Sequence, residues 1–165
     1  MSTIEKTESV KAWAAGFFDG EGSALISQSG PNSYQVTVAV VNTDGRVIDL
    51  FSSIWGGYLH TATGEYLLEH SNARARKTGY KLYFKYDEAR VLLADLLPYL
   101  VIKKEEAAIV LIALSVLPEL PEGKKKHAHG TTILLKPYSE ATKQMRRVVH
   151  IPQLMAKRVC DIIPS

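Results

Sequence analysis

At 165 residues, with 46% hydrophobic and 22% charged side chains, the chain has the length and composition of a single soluble domain with its own core. The net charge of +3 is mildly basic and names no partner by itself, and the single Cys160 excludes an intrachain disulfide and a cysteine-rich zinc site. No apolar run approaches the roughly 18 residues of a membrane span, and the N-terminus lacks the apolar core of a secretion signal. The expectation is no membrane, and a location in the cytoplasm, or in a chloroplast or mitochondrion if encoded there.

A first helix is expected from about Ser9 to Asp19, with Thr7 or Ser9 as N-cap. Ala12, Gly16 and Gly20 recur every fourth residue and share one face, with Ala15 and Asp19 beside it. Glycine inside a helix costs about 1 kcal/mol against alanine. Close approach to another helix offsets that cost, while a glycine C-cap is the alternative for Gly16 or Gly20 alone. Trp13, Phe17 and Phe18 fall on other faces and are assigned to the core.

A strand from about Ser23 to Ser29 meets a turn signal at Gly30-Pro31-Asn32. Ser33 to Val41 then alternates cleanly, Tyr34, Val36, Val38 and Val40 against Ser33, Gln35, Thr37 and Ala39. Thr43-Asp44 caps a second helix to about Ile54, with Val47, Leu50, Phe51 and Ile54 inward, and Gly56-Gly57 ends it. A third strand starts at Tyr58, with a turn or distortion over Thr61–Gly64. Arg74, Arg76 and Lys77 lie in an exposed basic loop. A fourth strand spans Tyr80–Tyr86, and helices follow over Asp87–Leu97 and Lys103–Leu117. The C-terminal third holds the basic run Lys124-Lys125-Lys126, then His127 and His129 without a third ligand nearby, and a further helix carrying Lys143, Arg146 and Arg147.

The stretch Ala14-Ala15-Gly16-Phe17-Phe18-Asp19-Gly20-Glu21-Gly22 ends a small-residue helix in two carboxylates. It resembles the signature of the LAGLIDADG homing endonucleases. It departs at Ala14, where the family has Leu, at Phe17 and Phe18, where it has aliphatics, and at Glu21, where it has Asp. Glu21 keeps the carboxylate and adds a methylene. The resemblance runs, more loosely, to about residue 117 and implies an α+β fold with an αββαββα core. Its four-stranded antiparallel sheet would form a DNA-binding saddle. The whole chain is then one endonuclease domain, core about 8–117, with a helical extension over about 118–165. Only one signature is present, which implies a homodimer joined through Ala12, Ala15, Gly16 and Asp19. A two-fold protein favours a palindromic or pseudo-palindromic site.

By the same resemblance Glu21 and the Gly20 carbonyl hold Mg²⁺, with Mn²⁺ or Ca²⁺ able to substitute, and hard oxygen donors suit that ion. Asp19, the first acid, is assigned to hydrogen bonds at the helix ends and dimer seam. Asn42 matches the family's solvent-positioning amide, with a turn or cap residue as the alternative. Arg46 follows four residues later. Lys103, in Pro98-Tyr99-Leu100-Val101-Ile102-Lys103-Lys104, matches the lysine directed at the scissile phosphate. The plain alternative is a solvated lysine, yet a cation at a helix start opposes the dipole and invites an anion.

A two-stranded ribbon fits the major groove of double-stranded DNA. The candidate reading face is Ser27, Ser29, Ser33, Gln35 and Thr37, joined by Asn32, His60, Lys81 and Tyr83. Arg74, Arg76, Lys77 and Lys124–Lys126 would meet bases or phosphates. The alternative is a polar sheet face that meets only water. The implied function is a metal-dependent, site-specific double-strand break that starts intron mobility. Against it stands a nuclease-inactive RNA maturase or DNA-binding regulator on the same fold.

Overall fold

The structure is a computed structural model and describes residues 5–62, 78–118 and 131–149. The elements run α1 (Glu8–Glu21), β1 (Gly22–Gly30), β2 (Ser33–Asn42), α2 (Gly45–Trp55), β3 (Tyr58–Ala62), β4 (Gly79–Phe84), α3 (Tyr86–Leu96) and α4 (Lys104–Val116). A 3₁₀ turn (Thr131–Leu135) and α5 (Lys136–Val149) follow. The strands form one antiparallel sheet in the order β1-β2-β4-β3. This is the expected α+β arrangement, extended by α5.

Thr7 caps α1, its Oγ1 accepting from the Val10 N–H at 3.3 Å. The helix continues through Gly20 to Glu21, two residues beyond the expected end, so both acids sit in its last turn. Gly22 then turns the chain directly into β1. A Cβ there would meet the Phe18 ring at 2.4 Å and the Phe18 carbonyl oxygen at 2.6 Å, so only glycine fits this junction. Asp44 caps α2 by accepting from the Arg46 N–H at 3.0 Å. Gly56 and Gly57, at φ 77° and 114°, reverse the chain from α2 into β3. β3 continues through Thr61 and Ala62, where a distortion was expected; residues 63 and 64 lie outside the described part.

The core lies between one sheet face and the helices. Phe18, Ala24, Ile26, Val38, Val40, Phe51, Leu82, Leu93 and Leu114 are buried in it. On the inward side of β2 the alternation holds, with Tyr34, Val38 and Val40 buried and Val36 packed against them, while Ala39 on the opposite side is also buried. In α2 the fully buried set is Ile48, Phe51 and Trp55; Val47 and Ile54 pack at its margin. Trp13 was assigned to the core but remains 44% exposed, with its ring 5.8 Å from Phe17 and 5.9 Å from Phe51. Asp95 on α3 gathers three elements: it accepts from Trp55 Nε1 of α2 at 2.9 Å and pairs with Lys11 of α1 and Lys6, each at 3.2 Å.

The C-terminal elements close the edge of the sheet. The Tyr34 N–H donates to Thr132 Oγ1 at 3.1 Å, and the buried Ser139 Oγ donates to the Ile26 carbonyl at 3.0 Å. β1 is an edge strand, and α5 packs along it. Among the described residues no helix is long and apolar enough to cross a membrane.

Candidate functional site

The end of α1 and the start of α4 hold each other. The Asp19 carboxylate accepts from the backbone N–H groups of Val101, Ile102 and Lys103, at 2.8, 3.2 and 2.8 Å. In return, Lys103 Nζ donates to the Phe18 carbonyl at 3.2 Å and to the Asp19 carbonyl. An anion thus sits at the N-terminus of α4 and a cation at the C-terminus of α1. Both positions complement the helix dipoles and satisfy groups that helix ends leave open. Asp19 makes hydrogen bonds at the helix ends, as expected of it, with the N–H groups of the turn that leads into α4. Lys103 is a partly buried clamp on α1 and not the solvated lysine that stood as the plain alternative.

Glu21 is exposed at the same helix end, one residue past Gly20, which is also exposed. Nothing lies within 4 Å of where a Gly20 Cβ would stand, so the backbone there is open to approach. Glu21 and the Gly20 carbonyl are hard oxygen donors that fit a divalent ion. Among the described residues no group of three or more His, Cys, Asp or Glu side chains converges as a metal cage.

The small-residue stripe divides. Ala12, Gly16 and Gly20 are exposed, and a Cβ on Gly16 would meet nothing within 4 Å. Ala15, expected at the dimer interface with them, is instead fully buried in its own core. One residue of offset rotates a helical side chain by about 100°, enough to turn Ala15 inward.

Asn42 ends β2, and its Oδ1 accepts from the Asp44 N–H at 2.7 Å. The turn role that stood as its alternative is therefore realised. Arg46 closes on Asp44 through three contacts between 2.6 and 3.2 Å, and its side chain is 90% exposed. That guanidinium holds the Asp44 carboxyl down at about 2.

Register carries Glu21 to a defined end of the sheet. Gly22 pairs with Val40, so Glu21 precedes the strand position beside the end of β2. On the face away from the core, Val41, Lys81 and His60 form one cross-strand row, and Ala39, Tyr83 and Tyr58 the next. Further along β1 and β2 the same face carries the pairs Leu25–Thr37 and Ser27–Gln35, then Ser29 and Ser33 near the Asn32 turn. The structure thus brings Ser27, Ser29, Ser33, Gln35, Thr37, His60, Lys81 and Tyr83 onto one face. Sequence reasoning missed Val41 and Tyr58 there. Strand parity with Thr37 and with His60 was the available signal. Arg74, Arg76, Lys77, Lys124, Lys125 and Lys126 lie outside the described residues, as do His127 and His129. Lys143 is exposed on α5 and pairs with Glu140 at 3.1 Å; the side chains of Arg146 and Arg147 lie outside the description.

No protein-family model and no curated protein sequence matches the chain. Solved structures do. Homing endonuclease I-CvuI, in complex with the I-CreI target in 2 mM Mg with the DNA not cleaved, aligns over 79% of this chain and 95% of its own at 23% identity, with a TM-score of 0.47. The same enzyme with its target Sro1.3 in 2 mM Ca gives 22% identity over 79% and 94%, again at 0.47. Those two superpositions are too loose to argue from. The archaeal intron-encoded homing endonuclease I-Vdi141I, complexed with DNA, covers 84% of each chain at 14% identity with a TM-score of 0.57. Sheet order, the helix that runs into the first strand, and this superposition agree: the chain has the fold of its structural neighbours, the LAGLIDADG homing endonucleases.

Proposed function

We propose that the protein is a homodimeric, Mg²⁺-dependent, site-specific DNA endonuclease that cuts both strands of a long pseudo-palindromic target and thereby initiates intron mobility. The observation that carries this reading is the reciprocal clasp of Asp19 and Lys103. It fixes a lysine ammonium beside the terminal carbonyls of α1, within three residues of the exposed Glu21 carboxylate. The ammonium caps α1, and beside it the Glu21 carboxylate is exposed; a reaction that handles both a phosphate and a metal uses the two together.

In this reading the sheet face lies in the major groove and sets the register on DNA. Glu21 and the Gly20 carbonyl hold Mg²⁺, one set from each copy, with Mn²⁺ or Ca²⁺ able to occupy the same donors. When bound, the divalent ion supplies an activated water and stabilises the departing oxygen. Lys103, already oriented by α1, offers positive charge to the phosphate as negative charge develops there. The Asn42 amide nitrogen positions solvent, since its oxygen is held by Asp44. Arg46 reaches a phosphate by exchanging Asp44 for it. The DNA complex of the I-Vdi141I enzyme supports the partner, and the hard oxygen donors Glu21 and the Gly20 carbonyl support the ion class.

The test is cleavage of a randomised, partly palindromic duplex library in Mg²⁺ or EDTA, with the cut ends sequenced. Mg²⁺-dependent cuts at one recurring site are expected. Glu21→Gln should lower the rate by about a hundredfold or more, as expected for several kcal/mol of lost transition-state stabilisation. Equal cutting by Glu21→Gln would remove Glu21 from the site. Specific binding of a folded intron RNA without any cutting would favour the maturase instead.

A further inference from the structure

The outer sheet face changes chemistry along its strands. Towards the β1–β2 hairpin it is built from hydroxyls and one amide beside Leu25, and two of the hydroxyls satisfy each other, Ser29 Oγ donating to Ser33 Oγ at 3.0 Å. Towards Glu21 it becomes apolar and cationic. Val41 is 39% exposed and Tyr58 62% exposed. Between them in the sheet, Lys81 sets its Nζ 4.7 Å from the centre of the Tyr83 ring. Val41 pairs with Lys81, and Tyr58 with Tyr83, so the apolar groups flank the cation on either side.

Single exposed apolar side chains are ordinary. These two differ in their setting. They share one face with a lysine held over a ring and with His60, and that face ends at the Glu21 carboxylate. They stand two strands apart and two residues offset along them, about 12 Å, which is close to the roughly 12 Å width of a major groove. They are therefore too distant to line one pocket and suitably spaced to meet separate bases. The major groove edge offers one apolar group, the thymine methyl. The positive charge between the two residues suits the polyanion that carries it.

Resting on the endonuclease reading, we propose that Val41 and Tyr58 read thymine methyl groups in the part of each half-site nearest the cut, while Lys81 between them donates to purine acceptors. Specificity next to the cut then depends on a substituent that plays no part in base pairing.

The experiment begins with duplexes selected for binding to the intact protein in Ca²⁺ from a randomised library, with the cut mapped afterwards in Mg²⁺. Thymine is expected at one or two cut-proximal positions of each half-site. Each is then replaced by deoxyuridine, which deletes only the methyl. Loss of one buried methyl corresponds to about three- to fivefold weaker binding. Because this arm changes only the DNA, a misfolded variant cannot imitate it. In Val41→Ser and Tyr58→Ser, one uridine position each should lose its effect. Neutral uridine at every cut-proximal position overturns the proposal, as does an effect that survives in both variants, or a selected site without thymine there. Failure to select any duplex would instead remove the endonuclease reading on which the proposal rests.

Discussion

Asp19 and Lys103 are the pair on which the site geometry turns. Each stabilises the other's helix end, and the carboxylate alone meets three N–H groups. Hydrogen bonds to a charged group contribute about 1.5–3 kcal/mol each. Asp19→Asn keeps one acceptor and turns an NH₂ towards donors. It should therefore cost about 2–3 kcal/mol in urea unfolding, and it should reduce cleavage more than DNA binding because Lys103 loses its seat. An unchanged unfolding midpoint would show that the clasp contributes nothing. The two residues lie 84 positions apart. A sequence shows that one is an acid at a helix end and the other a lysine at a helix start. It does not show that they meet, which is why Asp19 was assigned to hydrogen bonds at the helix ends and dimer seam without a named partner, and Lys103 to the scissile phosphate.

At the level of elements, α1, α2 and α3 converge on Asp95. Partial burial raises its pKa, but the Trp55 indole N–H and the Lys11 and Lys6 ammonium groups lower it further, leaving it below its ordinary value of 3.8. A lowered folded value means that this carboxylate contributes stability above about pH 4, and that the contribution falls away as pH drops through the folded value. Asp95→Asn should cost about 1–2 kcal/mol at pH 7, with the gap to wild type narrowing below pH 4 in thermal melts. A gap constant from pH 7 to pH 3 would contradict the ionic account. Element order was legible because local signals agree: a threonine cap before a small-residue helix, clean alternation in β2, paired glycines after α2. Interior facing was less legible. Ala15, Trp13 and Tyr58 were misassigned or missed because each lies beside a recognisable stripe rather than on it. Which way such a flanking residue turns depends on the packing partner, α3 and the sheet for α1, and no local pattern encodes that partner.

For the whole molecule, the exposed line of Ala12, Gly16 and Gly20 is the surface on which a second copy is proposed to pack. Gly16→Leu gives a clean test, because a Cβ at that position meets nothing within 4 Å among the described residues. The variant should keep its folded circular-dichroism spectrum and shift from dimer to monomer in sedimentation; an unchanged dimer mass would remove the stripe from the interface. The clasp between α1 and α4 then acquires a geometric meaning. If α1 marks the two-fold axis, the hydrogen bonds from Lys103 to the Phe18 and Asp19 carbonyls set how far each phosphate-facing ammonium stands from that axis. In the proposed dimer that distance would act as a ruler for the separation of the two phosphate-facing ammonium groups. Substitutions that lengthen or tilt the clasp should change not only how fast the DNA is cut but how many bases are left single-stranded at each end.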